Sequence, residues 1–268
     1  MVIGRKTTLS LRVVALAYLG ILVAVPVLLI FYRTFEAGFG AFWEQITTPA
    51  AISALSLSLL IVAIVVPVNV VFGVVTALAL VRGRFRGRGV VQAIVDLPFA
   101  VSPIVVGVSL ILLWGSAGWF GFVEDSGLKI IFSLPGMVLA TIFVTLPFVV
   151  REVEPVLHEI GDEQEQAAAT LGASRWQTFW RITLPAIRWG LTYGVVLTIA
   201  RSLGEFGAVI MVSSGIAGES QTLTLLVHSR YIDDHNTFGA YAASTLLMIL
   251  ALITLLLMTV LDRKRTDA

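Results

Sequence analysis

Residues 161–185, GDEQEQAAATLGASRWQTFWRITLP, form a polar insert between segments that are almost continuously apolar, and this insert decides how the chain is organised. Asp162 is an N-cap candidate with Glu165 three residues later, the spacing of a capping box, and good helix formers follow. Gly172 then supplies a left-handed helix stop, and Ser174 is a second N-cap candidate. The pattern predicts two short helices joined at Gly172.

The two predicted helices differ in the surface that they present. The second, capped by Ser174 with Gln177 completing its box, carries apolar residues at helical spacing. We expect it to lie along a membrane surface, apolar side inward, and to enter the next span at Pro185. The first presents small side chains at residues 167–169, which let the surface of a partner approach closely. An ordinary solvated loop helix is the alternative interpretation.

The composition excludes a soluble domain. Hydrophobic residues make up 57% of the 268 residues, charged residues only 13%, and the mean hydropathy is +0.95. These values are typical of a polytopic membrane protein. The apolar runs predict an all-α fold, one transmembrane domain over residues 1–268, with six helices spanning the membrane at about 13–32, 52–81, 89–114, 130–150, 186–212 and 238–261.

The basic residues predict the orientation of these spans. Most of the 18 Lys and Arg residues fall at the termini and in alternate loops, including the run RGRFRGRG at 82–89, whereas the other loops hold Arg33, Lys129 and Arg230. Loops rich in Lys and Arg face the cytoplasm. We therefore expect both termini and residues 161–185 to be cytoplasmic, in the plasma (inner) membrane of a bacterium.

Several kinds of chemistry are excluded by residue type. Cysteine is absent, so neither disulfides nor thiolate catalysis is available. No lysine follows a glycine, as a phosphate-binding P-loop requires, so this chain is not expected to hydrolyse ATP. His158 lies among glutamates but lacks a second nitrogen or sulfur ligand nearby. We expect no catalytic residue, no metal site and no cofactor in this chain.

The insert resembles a family signature. Gln166-Ala167-Ala168, then Gly172, then an Ile-x-Leu-Pro ending at Pro185, follow the spacing of the EAA loop of ABC importer permeases. The resemblance implies that the loop forms coupling helices that insert into a cleft of a separate cytoplasmic ATPase, which binds ATP and Mg. It assigns contact with that ATPase to Glu165, Gln166, Ala167, Ala168, Leu171, Gly172, Ala173 and Trp176. The chain departs from the family at Gln166, where a glutamate is usual, and its acids stand at Glu163 and Glu165 instead.

The predicted third span contains polar and helix-breaking residues. In DLPFAVSP, residues 96–103, Pro98 and Pro103 each remove a backbone donor. Broken backbone at membrane depth is tolerated where it is buried in protein or lines a watery cavity, which makes Asp96 and Ser102 candidates for a translocation pathway. A structural helix that is merely kinked is the alternative.

The predicted fifth span carries a charged pair. Arg201 and Glu205 lie one helical turn apart in ARSLGEFGAV, far from either end of the span. A charge at the centre of a membrane helix costs about 2.5 to 3.5 kcal/mol on insertion scales. The pair either lines or gates an anion route, or it is a buried ion pair that fixes packing against Asp96 or a neighbouring chain. The sequence leaves both interpretations open.

A narrower resemblance suggests the substrate. RSLGEFGA at 201–208, DLPFAVSP at 96–103 and LPFVVRE at 146–152 are similar to the sulfate/thiosulfate permeases of ABC importers and to their molybdate relatives. Ser102-Pro103, together with GSAGWFG at 115–121 and SSGIAGESQT at 213–222, is closer to the W-type sulfate permease subunit than to its T-type partner.

The resemblance implies an import complex. Its parts are a heterodimer with a second sulfate permease subunit, two copies of a cytoplasmic ABC ATPase, and an extracytoplasmic sulfate-binding protein. A permease for molybdate or tungstate is the alternative. The binding protein mainly selects among such dianions, so the sequence of the permease discriminates between them only weakly. An intramembrane hydrolase is disfavoured, because His158, His228 and His235 all fall outside the predicted spans.

Overall fold

The computed structural model describes residues 5–266, with side chains over 12–260 apart from residue 125. Helices form the regular structure of this part of the chain. The first helix, α1, covers 5–35 and includes a π-helical turn at Gly20–Ala24. It is followed by α2 (Phe39–Ile46), α3 (Pro49–Arg82), α4 (Arg88–Ala100), α5 (Pro103–Trp114) and α6 (Phe122–Asp125). The second half contains α7 (Leu134–Glu159), α8 (Glu163–Thr170), α9 (Arg175–Leu203, with a π-helical turn at Phe179–Thr183), α10 (Val209–Val212), α11 (Leu223–His228, continued by a π-helical turn at Ser229–Asp233) and α12 (Thr237–Thr266).

Five of these helices are long and apolar enough to cross a membrane: α1, α3, α7, α9 and α12. The number of crossings is six if α4 and α5, two shorter helices whose axes are bent by 114°, are taken together as one span. Val95 of α4 packs with Val153 of α7, whereas Val106 of α5 packs with Met137, near the other end of α7. Because α7 is continuous, α4 and α5 pack towards different ends of it, on the two sides of the break.

Pro103 explains where that crossing breaks. A residue that precedes proline avoids the α conformation, and Ser102 accordingly has φ −60° and ψ 135°, with Val101 also extended. Pro98, by contrast, lies inside α4. The prediction that proline breaks this span is therefore confirmed at Pro103, while Pro98 is accommodated within the helix.

The core is built around α7, with α3 and α9 packed closely against it. Glycines allow this approach: a Cβ atom on Gly73 of α3 would lie 2.6 Å from Val149 Cβ, and one on Gly190 of α9 would lie 2.6 Å from the carbonyl oxygen of Glu152. The α1 helix is not packed into this core, because no residue of its most apolar 18-residue stretch is buried. Near the C-terminal end of α1, Thr34 Oγ1 lies 2.8 Å from Thr245 Oγ1 of α12, and this contact joins the two helices.

Two of the crossings have boundaries that differ from those expected. The fifth crossing begins at Arg175 rather than at 186 and its helix ends at Leu203 rather than at 212. The fourth runs over Leu134–Glu159, so it starts later than 130 and extends past 150. We call the end of the molecule that carries the loops at 83–87 and 160–174 the arginine end, and the other the opposite end.

Candidate functional site

The polar insert forms a helix, a tight stop and the start of a second helix at the arginine end. Gly172 has φ +83°, the left-handed conformation. The N–H of Ala173 donates to the carbonyl of Ala168 at 3.0 Å, and the N–H of Gly172 donates to that of Ala169 at 3.0 Å, the two bonds of a Schellman motif. The predicted stop at Gly172 is confirmed.

The predicted N-caps have different outcomes. Ser174 Oγ accepts from the N–H of Gln177 at 3.3 Å, and Gln177 Oε1 accepts from the N–H of Ser174 at 2.9 Å, so this capping box is confirmed. The prediction of a capping box at Asp162 is wrong. The Asp162 side chain makes no capping hydrogen bond, and Glu165 bonds to Arg82 and Thr183 instead. The second helix is also no separate surface helix, since it forms the first turns of α9.

Between them, the two helices leave an apolar tip uncovered. Leu171 is 89% exposed and Trp176 is 70% exposed, and Trp180 packs edge-to-face on Trp176 with ring centroids 5.5 Å apart. Gln166 and Ala167 are exposed beside them, whereas Ala168 and Ala173 are half-buried. An exposed apolar cluster of this kind, on a polar loop, is typical of a surface that contacts another protein or the membrane.

Beneath the tip lies a polar network that the sequence did not reveal. Glu165 is half-buried, and its Oε2 lies 3.0 Å from Arg82 Nε, at the end of α3. From the sequence, Arg82 was interpreted only as a marker of orientation, because a local sequence pattern does not predict a bond to a residue 83 positions away.

A second group of polar residues lies where α9 ends within the membrane-spanning region. The helix stops at Leu203, so Arg201 occupies its last turn, where the helix dipole favours a cation. Arg201 Nη1 lies 2.7 Å from Glu205 Oε2, and Glu205 Oε1 accepts from the N–H of Ala208 at 2.8 Å. The Glu205 side chain is 1% exposed, whereas that of Arg201 is 33% exposed. Arg201 and Glu205 therefore lie on either side of the end of α9. The sequence had suggested instead that both residues lie along one helix.

The two helix breaks lie next to each other. A Cβ atom on Gly207, in the break after α9, would lie 3.0 Å from Pro103 Cβ at the start of α5, and one on Gly107 would lie 2.8 Å from the carbonyl oxygen of Ala208. Ser102 is exposed at this junction. The structure thus brings Ser102 to the break that holds Arg201 and Glu205.

Asp96 does not belong to this group. Its Oδ1 accepts from Arg151 Nη2 at 2.6 Å and from Arg151 Nε at 3.0 Å, while Gln92 Nε2 lies 3.4 Å from Oδ2. Arg151 also lies over the ring of Phe99, 5.7 Å from its centroid. The alternative that Arg201 and Glu205 fix packing against Asp96 is therefore wrong, since Asp96 ties α4 to α7.

The loop at the opposite end is anchored by a buried arginine. Arg230 is 6% exposed and donates to the carbonyls of Gly239 at 3.0 Å and Gln45 at 3.2 Å, and to Thr48 Oγ1 at 2.9 Å. Burial lowers the pKa of Arg230, and the charge of nearby Asp234 opposes that shift. Arg230 thereby joins the ends of α2 and α3 to the start of α12.

Comparison with known proteins gives a consistent result. The family model described as "Binding-protein-dependent transport system inner membrane component" matches residues 69–267. The chain is 46% identical over 260 residues to the "Sulfate transport system permease protein CysW" of Synechocystis, covering 97% of this chain and 94% of that one. It is 35% identical over 252 residues to the CysT protein of the same organism, covering 94% and 88%.

Solved structures show the same fold. A permease chain from a bacterial ABC transporter involved in the import of alginate superposes with a TM-score of 0.78, covering 96% of this chain and 95% of that one at 19% identity.

Proposed function

Because this chain belongs to the family of binding-protein-dependent transport system inner membrane components, we propose that it is a permease subunit of an ATP-driven importer of sulfate and thiosulfate. The observation that carries the proposal is the exposed tip around Gly172, at one end of a bundle of helices long and apolar enough to cross a membrane. The greater identity to a CysW protein than to a CysT protein supports the W-type position in a heterodimer whose other member is a T-type subunit.

The proposed complex has two further kinds of component. Two copies of a cytoplasmic ATPase bind ATP and Mg and receive the tip at the arginine end, which faces the cytoplasm of a bacterium, as do both termini. An extracytoplasmic sulfate-binding protein delivers the anion to the opposite end. Coupling contacts fall to the exposed residues Gln166, Ala167, Leu171 and Trp176, while Glu165, Ala168, Gly172 and Ala173 shape the loop.

The anion route in this proposal passes the two adjoining helix breaks. Arg201 contacts Glu205 through Nη1, and its side chain is one-third exposed, so the remaining N–H groups of the guanidinium can receive an oxyanion. Ser102 adds a hydroxyl at the same depth. Asp96, which is paired with Arg151, supports the wall of the route and does not contact the anion.

The coupling role is tested by two substitutions at one position. Gly172 has a positive φ and open space where a Cβ atom would lie, so Gly172→Asn introduces a residue that tolerates this conformation, whereas Gly172→Trp adds both bulk and backbone strain. In reconstituted complex, we expect Gly172→Asn to transport sulfate and Gly172→Trp to hydrolyse ATP without transport. Normal transport by the tryptophan variant would show that this loop does not enter the ATPase.

The substrate is tested in cells deleted for this protein. Uptake of radiolabelled sulfate should be lost in the deletion strain, and uptake in the parent should be blocked by thiosulfate but not by molybdate. Unchanged sulfate uptake with loss of molybdate accumulation would assign the chain to molybdate import instead.

A further inference from the structure

Arg82 is the point at which the arginine end is tied together. It lies in the last turn of α3, and its guanidinium bonds to three segments. Nε donates to Glu165 Oε2 at 3.0 Å, Nη1 donates to the carbonyl of Leu157 at 3.2 Å, and Nη2 donates to the carbonyl of Gly161. The Leu157 carbonyl is one of the last in α7, where a helix leaves its acceptors unpaired and its dipole favours a cation.

Glu165 continues this network to a fourth element. Its second oxygen, Oε1, accepts from Thr183 Oγ1 at 2.8 Å, and Thr183 is buried in the π-helical turn of α9. The side chains of Arg82 and Glu165 are only 22% and 21% exposed. One charged pair therefore connects α8 to α3, α7 and α9.

The α8 helix has few other attachments. None of its eight residues is buried, so apolar packing holds it only weakly. Glycines with positive φ flank it, Gly161 at +62° and Gly172 at +83°, and glycine gives the chain its greatest backbone freedom. The hydrogen bonds of the stop at Gly172 join the C-terminal end of α8 to the start of α9, whereas the side-chain hydrogen bonds from α8 to α3 and to the π-helical turn of α9 pass through Glu165.

We propose that the Arg82–Glu165 pair is the strut that transmits movement of α8 to the crossing helices α3, α7 and α9. The inference rests on the proposed function, because it names the residues through which an ATPase that pushes on α8 would move the bundle. Arg82 and Glu165 act here as positioning residues, through their bonds within the chain. The function of the pair is to make α8 move as one body with the helices that it touches.

The strut is tested first by amide hydrogen exchange of residues 163–170 in the purified complex. The variants are Arg82→Gln, Glu165→Gln and the double variant. Arg84→Gln is the matched control, because Arg84 lies two residues further on and is exposed in the loop that follows α3. Hydrogen bonds to charged groups are worth about 1.5 to 3 kcal/mol, so each strut variant should exchange about tenfold faster or more in α8. The effects of the two single variants should be less than additive in the double variant, because both remove the same pair.

The second measurement separates transmission from simple stabilisation. In proteoliposomes, the ratio of sulfate taken up to ATP hydrolysed should fall several-fold for Arg82→Gln and for Glu165→Gln and should stay at the parental value for Arg84→Gln. Parental ratios in the strut variants would overturn the inference even if α8 exchanged faster, since α8 would then be loosened without loss of coupling.

Failure of the strut and failure of the proposed function give different results. If the parental complex took up no sulfate, the proposed function would fall, and the exchange experiment would still decide whether Arg82 and Glu165 hold α8. Exchange in Arg82→Gln equal to that in Arg84→Gln, or additive effects in the double variant, would overturn the strut itself.

Discussion

Removing the charge of Arg201 should destabilise the protein much more than removing the charge of Glu205. The Arg201→Met variant leaves the Glu205 carboxylate 1% exposed with only the N–H of Ala208 as a partner. Breaking a buried pair by removing one member costs about 3 to 5 kcal/mol, because an uncompensated charge stays buried.

The Glu205→Gln variant should be milder. Its amide oxygen can still accept from the N–H of Ala208, and Arg201 is already 33% exposed, so its charge can be solvated. We expect a loss of about 1 to 2 kcal/mol, the usual penalty for a changed hydrogen bond. The double variant should recover part of the loss seen in Arg201→Met, because no buried charge remains.

The free energy of unfolding can be followed by tryptophan fluorescence in mixed micelles of increasing denaturing detergent, since the chain has six tryptophans. Two results would refute this reasoning. One is an Arg201→Met variant as stable as Glu205→Gln. The other is a double variant no more stable than Arg201→Met, which would mean that lost packing, and not an unpaired charge, accounts for the effect.

Two further substitutions test the packing and the anchored loop. Gly190→Ala should lower the free energy of unfolding by about 1 to 3 kcal/mol, because its Cβ would lie 2.6 Å from a backbone carbonyl of α7. Gly20→Ala is the control and should be neutral or stabilising, because a Cβ there has nothing within 4 Å. Equal effects of the two substitutions in the same micelle titration would contradict the close contact. Arg230→Met should lower the free energy of unfolding by about 2 to 4 kcal/mol and speed proteolysis of the segment 213–236, because three acceptors lose their donor. If this segment stayed as resistant to protease as in the parent, Arg230 would not be needed to anchor it.

The parts of the fold that could be predicted from sequence are those set by local composition. Long apolar runs identify membrane crossings because a run must match the thickness of the bilayer. The stop at Gly172 and the cap at Ser174 depend on residues within five positions of each other, so they were predicted correctly. Ser102 also behaved as its following proline requires.

The features that could not be predicted depend on distant partners. Glu165 has the spacing of a capping box with Asp162, but Arg82 and Thr183 offer it stronger partners, and a local pattern contains neither. Similarly, the spacing of Arg201 and Glu205 suggested one continuous helix. The helix instead ends at Leu203, where Glu205 bonds across the break to Ala208, and the adjoining turn packs against Pro103.

The bend between α4 and α5 constrains the way in which this chain enters a bilayer. At about 1.5 Å per residue the two helices are about 20 Å and 18 Å long, and a hydrocarbon core is about 30 Å thick. An insertion machine that samples one segment at a time would find neither half long enough to span, and the interrupted backbone at Ser102 is unwelcome in lipid until protein covers it. The covering surface belongs largely to α7, which is synthesised later. We therefore expect α4 and α5 to settle in the bilayer only after α7 has been synthesised.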